Sequence, residues 1–278
     1  MKKILIATTF RYANKGSKNY NYQKKFLLSL NCSFERIDLF VNQFGEKNIK
    51  NFVTKYFKGN IIFKNTKLIN YKWSHSILLK NATSHYIKYH NRYEYISWST
   101  SDIKYTKKIF KYLHNTKSKQ LLLTYFPNTM INYNNTILPF GLDVFFIKTS
   151  KNNLKKLIKI LEDYPNYDWG IFEQFLFSLS ELFKLKIINL RDYGMIYKYE
   201  NNRKKNYRST QVSSWEVNKK IFLKFLKKYK LTDLYANGSM YFISYKIFKN
   251  TFKFNKFYIK IICLLSIKFI FRIFKINI

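Results

Sequence analysis

Apolar positions recur along this chain in two rhythms, and the alternation between those rhythms predicts the fold. Short runs rich in β-branched residues are separated by longer stretches in which apolar residues return every three or four positions. Lys3 to Thr9, Phe34 to Val41, Asn60 to Phe63, Tyr95 to Trp98, Gln120 to Tyr125, Leu142 to Lys148 and Lys186 to Leu190 read as strands. Tyr20 to Leu30, Lys47 to Tyr56, Ser74 to Tyr89, Lys104 to Leu113, Asn152 to Glu162 and Trp169 to Phe183 read as helices. In the third of these, Leu78, Ala82, Tyr86 and Tyr89 trace an amphipathic stripe. The same stripe carries His85, a position that marks a core histidine with a satisfied partner. Strands alternating with helices give an α/β fold, a mainly parallel sheet flanked by helices.

A sheet of that kind holds its ligands at the carboxyl ends of its strands. Three predicted ends carry polar residues suited to ligand contact, namely Thr8, Thr9 and Arg11 after the first strand, Asn42 after the second, and Ser99 to Asp102 after the fourth. Asp102 has a structural reading beside the functional one, since Asp is a preferred residue for capping a following helix. The chain contains no GxGxxG and no GxxxxGK[ST], so dinucleotide and P-loop phosphate binding lack their glycines. GxSxG and HExxH are also absent, which lowers the hydrolase and protease readings.

Charge changes the picture next. With a formal net charge of +36, the chain invites a nucleic-acid or anionic-surface reading. Lys, Asn, Ile, Tyr and Phe are inflated together, however, while Gly and Pro number only seven and three in 278 residues. Such a bias spreads lysine over the whole surface, whereas a nucleic-acid reader concentrates it, so no specific nucleic-acid partner is expected. A non-catalytic polyanion binder stays as the alternative. The hydrophobic share of 47% is enough for a full core. Cys32 and Cys263 stand far apart and form no CxxC set, so neither a disulfide framework nor a zinc site is expected. The apolar run after Met1 is too short for a secretory signal and reads as a buried strand, which predicts a cytoplasmic location.

Two regions stand out against this background. One is basic: no acid follows Asp233, and from residue 256 to 278 Lys256, Lys260, Lys268, Arg272 and Lys275 fall within roughly 160° of one helical face opposite Ile, Leu and Phe. Its longest uncharged stretch, Ile261 to Ile267, is far too short to span a bilayer. The pattern is that of an interfacial helix for an anionic membrane surface, the inner face of the cell membrane. A helix docked on the body of the protein is the competing reading. Lys219 to Lys230 has a similar basic and apolar character. The other region is acidic: Asp143, Glu162, Asp163, Asp168, Glu173, Glu181 and Asp192 hold seven of the chain's fifteen acids. Within it, Asp168-Trp169-Gly170-Ile171-Phe172-Glu173 combines two carboxylates, an aromatic ring and a flexible backbone point, the parts of a sugar-handling site.

Leu79-Lys80-Asn81-Ala82-Thr83 followed by Tyr95-Ile96-Ser97-Trp98-Ser99-Thr100-Ser101-Asp102 resembles the nucleotide-sugar half of GT-A glycosyltransferases, such as those of bacterial surface polysaccharide biosynthesis. In that family a helix with an Asn-Ala-like step precedes an apolar strand ending in a DxD motif. Its carboxylates hold a divalent ion, Mn²⁺ or Mg²⁺, on the donor diphosphate. The resemblance gives Asp102 the last position of the motif, and with it the donor and metal role, and it makes Asn81 a donor-side residue. Thr100 stands where the first acid belongs. The Trp-Gly segment looks like the acceptor half: Asp168 or Glu173 would be the catalytic base, with Asp143, Trp169 and Gly170 at the acceptor. All four histidines, His75, His85, His90 and His114, precede the acidic island, so the family's late histidine ligand has no counterpart. Lys198 and Arg203, cations just downstream, are candidates to clamp the donor diphosphate. The implied organisation is a catalytic domain over residues 1–203, split into a nucleotide-sugar half (1–125) and an acceptor half (126–203), then a basic helical extension over 204–278. The implied activity is transfer of a sugar from a nucleotide-sugar donor to a surface or lipid-linked glycan. A degenerate transferase fold that binds donor without turnover is the variant that Thr100 suggests.

Overall fold

The computed structural model describes residues 2–10, 17–43, 49–65, 74–123, 131–133, 136–138, 144–164, 179–190, 196–198 and 224–231. The chain alternates β1 (Lys3–Thr8), α1 (Lys18–Leu30), a 3-10 turn (Asn31–Arg36), β2 (Ile37–Gln43), α2 (Ile49–Tyr56), β3 (Asn60–Asn65), α3 (Ser74–Lys88) and β4 (Tyr93–Ser99). It continues with β5 (Ile103–Tyr105), α4 (Lys107–Asn115), β6 (Gln120–Leu123), β7 (Ile131–Tyr133), β8 (Thr136–Leu138), β9 (Val144–Lys148), α5 (Lys151–Glu162), β10 (Lys186–Asn189) and β11 (Ile196–Lys198). Seven strands form one sheet in the order β10-β6-β9-β4-β1-β2-β3. β1 pairs parallel with β2 and β4, β2 with β3, and β6 with β10, while β9 runs antiparallel between β4 and β6. This is the expected α/β class with a mainly parallel sheet.

The period of two along the strands sorts the core into two layers. Ile4 and Ile6 of β1 pack with Phe26, Leu27 and Leu30 of α1, Val53 of α2 and Ile109, Phe110 and Leu113 of α4. Leu5 and Ala7 face the other side, where Leu78, Leu79 and Ala82 of α3 and Leu154, Leu157 and Ile160 of α5 cover the sheet. Phe225, Leu226 and Leu231 join this second layer. The apolar side of the basic stretch 224–231 is therefore spent on the body, with Phe225 edge-on to Tyr164. Each such side chain contributes about 1.5–3 kcal/mol when removed from water. Ser17 and Ser150 cap α1 and α5 by accepting from the backbone N–H of Tyr20 and Asn153, each at 3.2 Å.

Three expectations are corrected. The strand predicted from Phe34 begins at Ile37, because Asn31–Arg36 wind into a 3-10 turn held by Asn31, whose side chain donates to the Tyr56 carbonyl and accepts from the Lys58 N–H. The helix predicted from Lys104 starts at Lys107. Residues 103–105 are instead a short strand, with Lys198, Tyr197 and Ile196 of β11 antiparallel to Ile103, Lys104 and Tyr105. Tyr89, assigned to a buried stripe by its spacing, is 43% exposed because α3 ends one residue before it. The hairpin of β7 and β8 has no counterpart among the predicted elements. Of the predicted helix Trp169 to Phe183, residues 179–182 are described and are helical. The segment from 256 to 278 lies outside the described residues. No described helix is long and apolar enough to cross a membrane.

Candidate functional site

Because β4, β1 and β2 are neighbours and parallel, their carboxyl ends fall on one edge of the sheet. Thr8 closes β1 opposite Val41, and Asn42 follows one position later on β2. Both are buried, at 0% and 1% exposure, and their side chains point to opposite faces of the sheet, so what they share is the edge. The Thr8 Oγ1 and both amide atoms of Asn42 have no hydrogen-bond partner among the described residues. A buried polar atom left unpaired costs about 1–3 kcal/mol, so three of them at adjacent strand ends call for a partner that the described residues do not provide. Thr9, next to them, is half-buried.

The end of β4 is more tightly organised. The Ser99 hydroxyl donates to the Thr100 carbonyl at 2.9 Å, and the Thr100 hydroxyl donates to Asp102 Oδ1 at 2.6 Å. Thr100, where the resemblance expects an acid, thus orients Asp102. Asp102 does not cap α4, whose N-cap is Thr106. Buried Tyr105 lies alongside: burial raises its hydroxyl pKa, and its hydroxyl, like that of buried Ser97, has no hydrogen-bond partner among the described residues. Sequence reasoning passes over Ser97 and Tyr105, because serine in an apolar strand looks like surface alternation. The signal is present in the parity of Ser97, Ser99 and Thr8, which all project toward the α1 layer.

Lys198 comes to the same place from much further along the chain. Its backbone pairs with Ile103, the residue after Asp102, through the antiparallel β5 and β11. Asn81 is elsewhere: it lies half-buried near the middle of α3, about 10 Å along the helix from the end nearest this edge. Arg11, Asp143, Asp168, Trp169, Gly170, Glu173 and Arg203 lie outside the described residues. Among the described residues no three His, Cys, Asp or Glu side chains gather into a metal-binding group. Mg²⁺ in phosphate sites is often held by one or two carboxylates plus the substrate's own phosphates, and Asp102 oriented by Thr100 fits that donor set.

The opposite, amino-terminal edge holds a different kind of polar cluster. Asp38 is fully buried near the start of β2, yet Lys3 donates to its Oδ1 at 2.9 Å, and Arg92 at 2.9 Å and Tyr93 at 2.8 Å donate to its Oδ2. His85 bonds through Nε2 to the Tyr93 hydroxyl at 3.2 Å and is ringed by Phe40, Tyr89 and Tyr93. It is the satisfied histidine that its position on the stripe implied.

No protein-family model matches the chain, and no curated protein matches it. Solved structures do. A protein described as a nucleotide-diphospho-sugar transferase from Desulfovibrio desulfuricans G20 aligns over 81% of this chain and 99% of its own, at 10% identity and a TM-score of 0.46. A 4-diphosphocytidyl-2C-methyl-D-erythritol synthase from Anaerococcus prevotii aligns over 80% and 99%, at 13% identity and a TM-score of 0.43. The glycosyltransferase GlyE of Streptococcus pneumoniae aligns over 84% and 66%, at 14% identity and a TM-score of 0.40.

Proposed function

We propose that the chain is a transferase that takes a sugar from a nucleotide-sugar donor held at the carboxyl edge of the sheet and passes it to a surface or lipid-linked glycan. The observation that carries this reading is the convergence on one edge of Thr8 and Asn42, whose side chains lack partners among the described residues, with Asp102, oriented by Thr100 and flanked by the backbone of Lys198. The donor's nucleoside would supply partners for the buried Thr8 and Asn42. Asp102 would face the diphosphate, or a divalent ion on it, and Lys198 and Arg203 would add positive charge as the leaving group departs. Transfer forms a bond between an acceptor hydroxyl oxygen and the anomeric carbon and breaks the bond from that carbon to the diphosphate. Asp168 or Glu173 would take the hydroxyl proton, with Asp143, Trp169 and Gly170 shaping the acceptor side. A lipid-linked acceptor gives the basic, amphipathic stretch 256–278 a purpose at an anionic membrane surface.

Thermal unfolding of the purified chain against a panel of nucleotide sugars, with and without Mn²⁺ or Mg²⁺, tests the reading. At a ligand concentration about a hundredfold above Kd the stabilisation is about 2.7 kcal/mol, readily seen as a shift in Tm. The expected result is a donor-selective shift that Asp102→Ala abolishes, with sugar transfer lost in the same variant. Binding of donor without transfer or donor hydrolysis would identify the degenerate variant instead. No shift with any donor, together with steeply salt-sensitive binding to polyanions, would replace the proposal with charge-driven binding.

A further inference from the structure

Away from the carboxyl edge, α4 and the 3-10 turn line an open cleft of about 560 Å³ whose lining includes Arg36, Lys107, Lys111 and His114, with Glu35 as its one acid among the described residues. Arg36 immediately precedes β2, so the cleft reaches the amino-terminal end of the strands, opposite Thr8 and Asn42. No acid occurs from Ile103 to Lys119. None of the ion pairs among the described residues uses Arg36, Lys107 or Lys111. Two lysines, Lys107 and Lys108, also open α4, where the helix dipole disfavours cations by about 0.3–1 kcal/mol each. Ile109 and Leu113 anchor α4 in the core, and buried Phe110, which also lines the cleft, fixes the helix beneath its cations. A flat lysine surface would suit a long polyanion, but an open cleft of this volume with cations in its lining has room for one small molecule or one headgroup.

We propose that this cleft is a second anion site, separate from the donor edge, which takes a phosphate-bearing ligand: a soluble diphosphate or the phosphate headgroup of a lipid. Arg36 is suited to a forked contact with phosphate oxygens, while Lys107 and Lys111, one turn apart on α4, meet the same anion as point charges. The inference stands independently of the transferase reading, because it uses none of that site's residues.

Cys32 lines the cleft and reports on it. The test follows the rate at which N-ethylmaleimide labels Cys32 in the full chain, read by peptide mass at constant ionic strength, with and without inorganic pyrophosphate. A parallel series uses vesicles of phosphatidylcholine alone or mixed with phosphatidylglycerol. Each variant is compared with its own unliganded rate, since Lys107 acts electrostatically on the thiol. The proposal predicts that pyrophosphate or the anionic vesicles slow labelling. The half-maximal concentration should rise about tenfold, equivalent to about 1.4 kcal/mol, in Lys107→Gln/Lys111→Gln. Lys155→Gln/Lys156→Gln on α5 removes the same charge from another exposed face and should leave the protection intact. Protection by pyrophosphate alone assigns a soluble ligand, and protection by phosphatidylglycerol vesicles alone assigns a headgroup. The proposal is overturned if neither probe protects Cys32, or if both double variants lose protection equally, since net charge alone would then explain the effect.

Discussion

Strand β2 carries a buried polar residue near each end, and the two have opposite fates. Asp38 at the amino-terminal end has three donors for its two oxygens, whereas Asn42 at the carboxyl end has no partner among the described residues for either amide atom. Both lie in nearly the same apolar setting, at 0% and 1% exposure, on one strand and on the same parity. Burial alone therefore does not distinguish a structural polar group from a functional one. What separates Asp38 from Asn42 is that the fold completes the hydrogen bonding of the first and the described residues do not complete that of the second. A charge that the fold satisfies holds the fold together, and in the reading proposed above the unsatisfied amide at the carboxyl end of β2 is completed by the donor.

The largest expected effect comes from breaking the satisfied end. Removing the Asp38 carboxylate leaves the half-buried Lys3 charge, the exposed Arg92 charge and the buried Tyr93 hydroxyl without their common acceptor. Asp38→Ala should lose about 3 kcal/mol or more of unfolding free energy in urea titrations, with an unchanged m-value. Lys3 and Arg92 retain partial access to water, which keeps the loss toward the lower end for a broken buried pair. A loss below about 1 kcal/mol would mean that the cluster is decorative and that the contrast within β2 is wrong.

The unsatisfied end should respond with the opposite sign. Thr8→Val and Asn42→Leu each remove buried polar atoms that have no partner among the described residues, so the unliganded protein should be as stable as the parent, or more stable by about 1 kcal/mol. Donor affinity should fall about tenfold or more in each, the worth of one hydrogen bond completed only in the complex. Stability and binding thus separate at this end, and paired urea and donor titrations read both. Destabilisation of the unliganded protein by about 2 kcal/mol would show that the chain already satisfies these groups and would remove the argument for a ligand there.

Strand identities and the two-layer core were legible because periodicity reports burial directly, and Ile4, Ile6, Leu5 and Ala7 sort onto two faces as a period of two requires. The placement of Thr8, Asn42 and Asp102 at one edge was legible because a parallel sheet brings its carboxyl ends together whatever the details. Lys198 stands out in the sequence only as a downstream cation, and nothing local shows that its strand pairs beside Asp102, a contact set by topology across roughly a hundred residues. The Asp38 cluster escapes sequence reasoning although its signal is plain: Ile37-Asp38-Leu39-Phe40-Val41 places one acid inside an apolar strand, much as Asp143 sits in its own apolar run. Its partners Lys3, Arg92 and Tyr93 come from distant positions in the chain, so the pairing could not be read from spacing. Tyr89 went wrong for a local reason, since periodicity does not say where a helix stops.

The smallest effect sharpens the comparison by pH. His85 is bound to the satisfied end through the Tyr93 hydroxyl, which itself donates to Asp38, so the imidazole Nε2–H donates to the Tyr93 oxygen. Burial, which outweighs the attraction of Asp38, holds the His85 pKa below its ordinary value of 6.5, and Arg92 and Lys88 add to the depression. The unfolded chain therefore takes up this proton at higher pH than the folded chain does. Folding stability should be flat above about pH 6.5, where both states are neutral at this residue, and should fall as pH drops from there toward the lower folded pKa. Tm measured against pH should show that decline, and His85→Gln, which can still donate to Tyr93 but does not titrate, should flatten it. Donor binding at the far edge should not follow the His85 titration in either protein. A donor affinity that tracks His85 would mean that the two ends of β2 are coupled, and the separation drawn between them would fail.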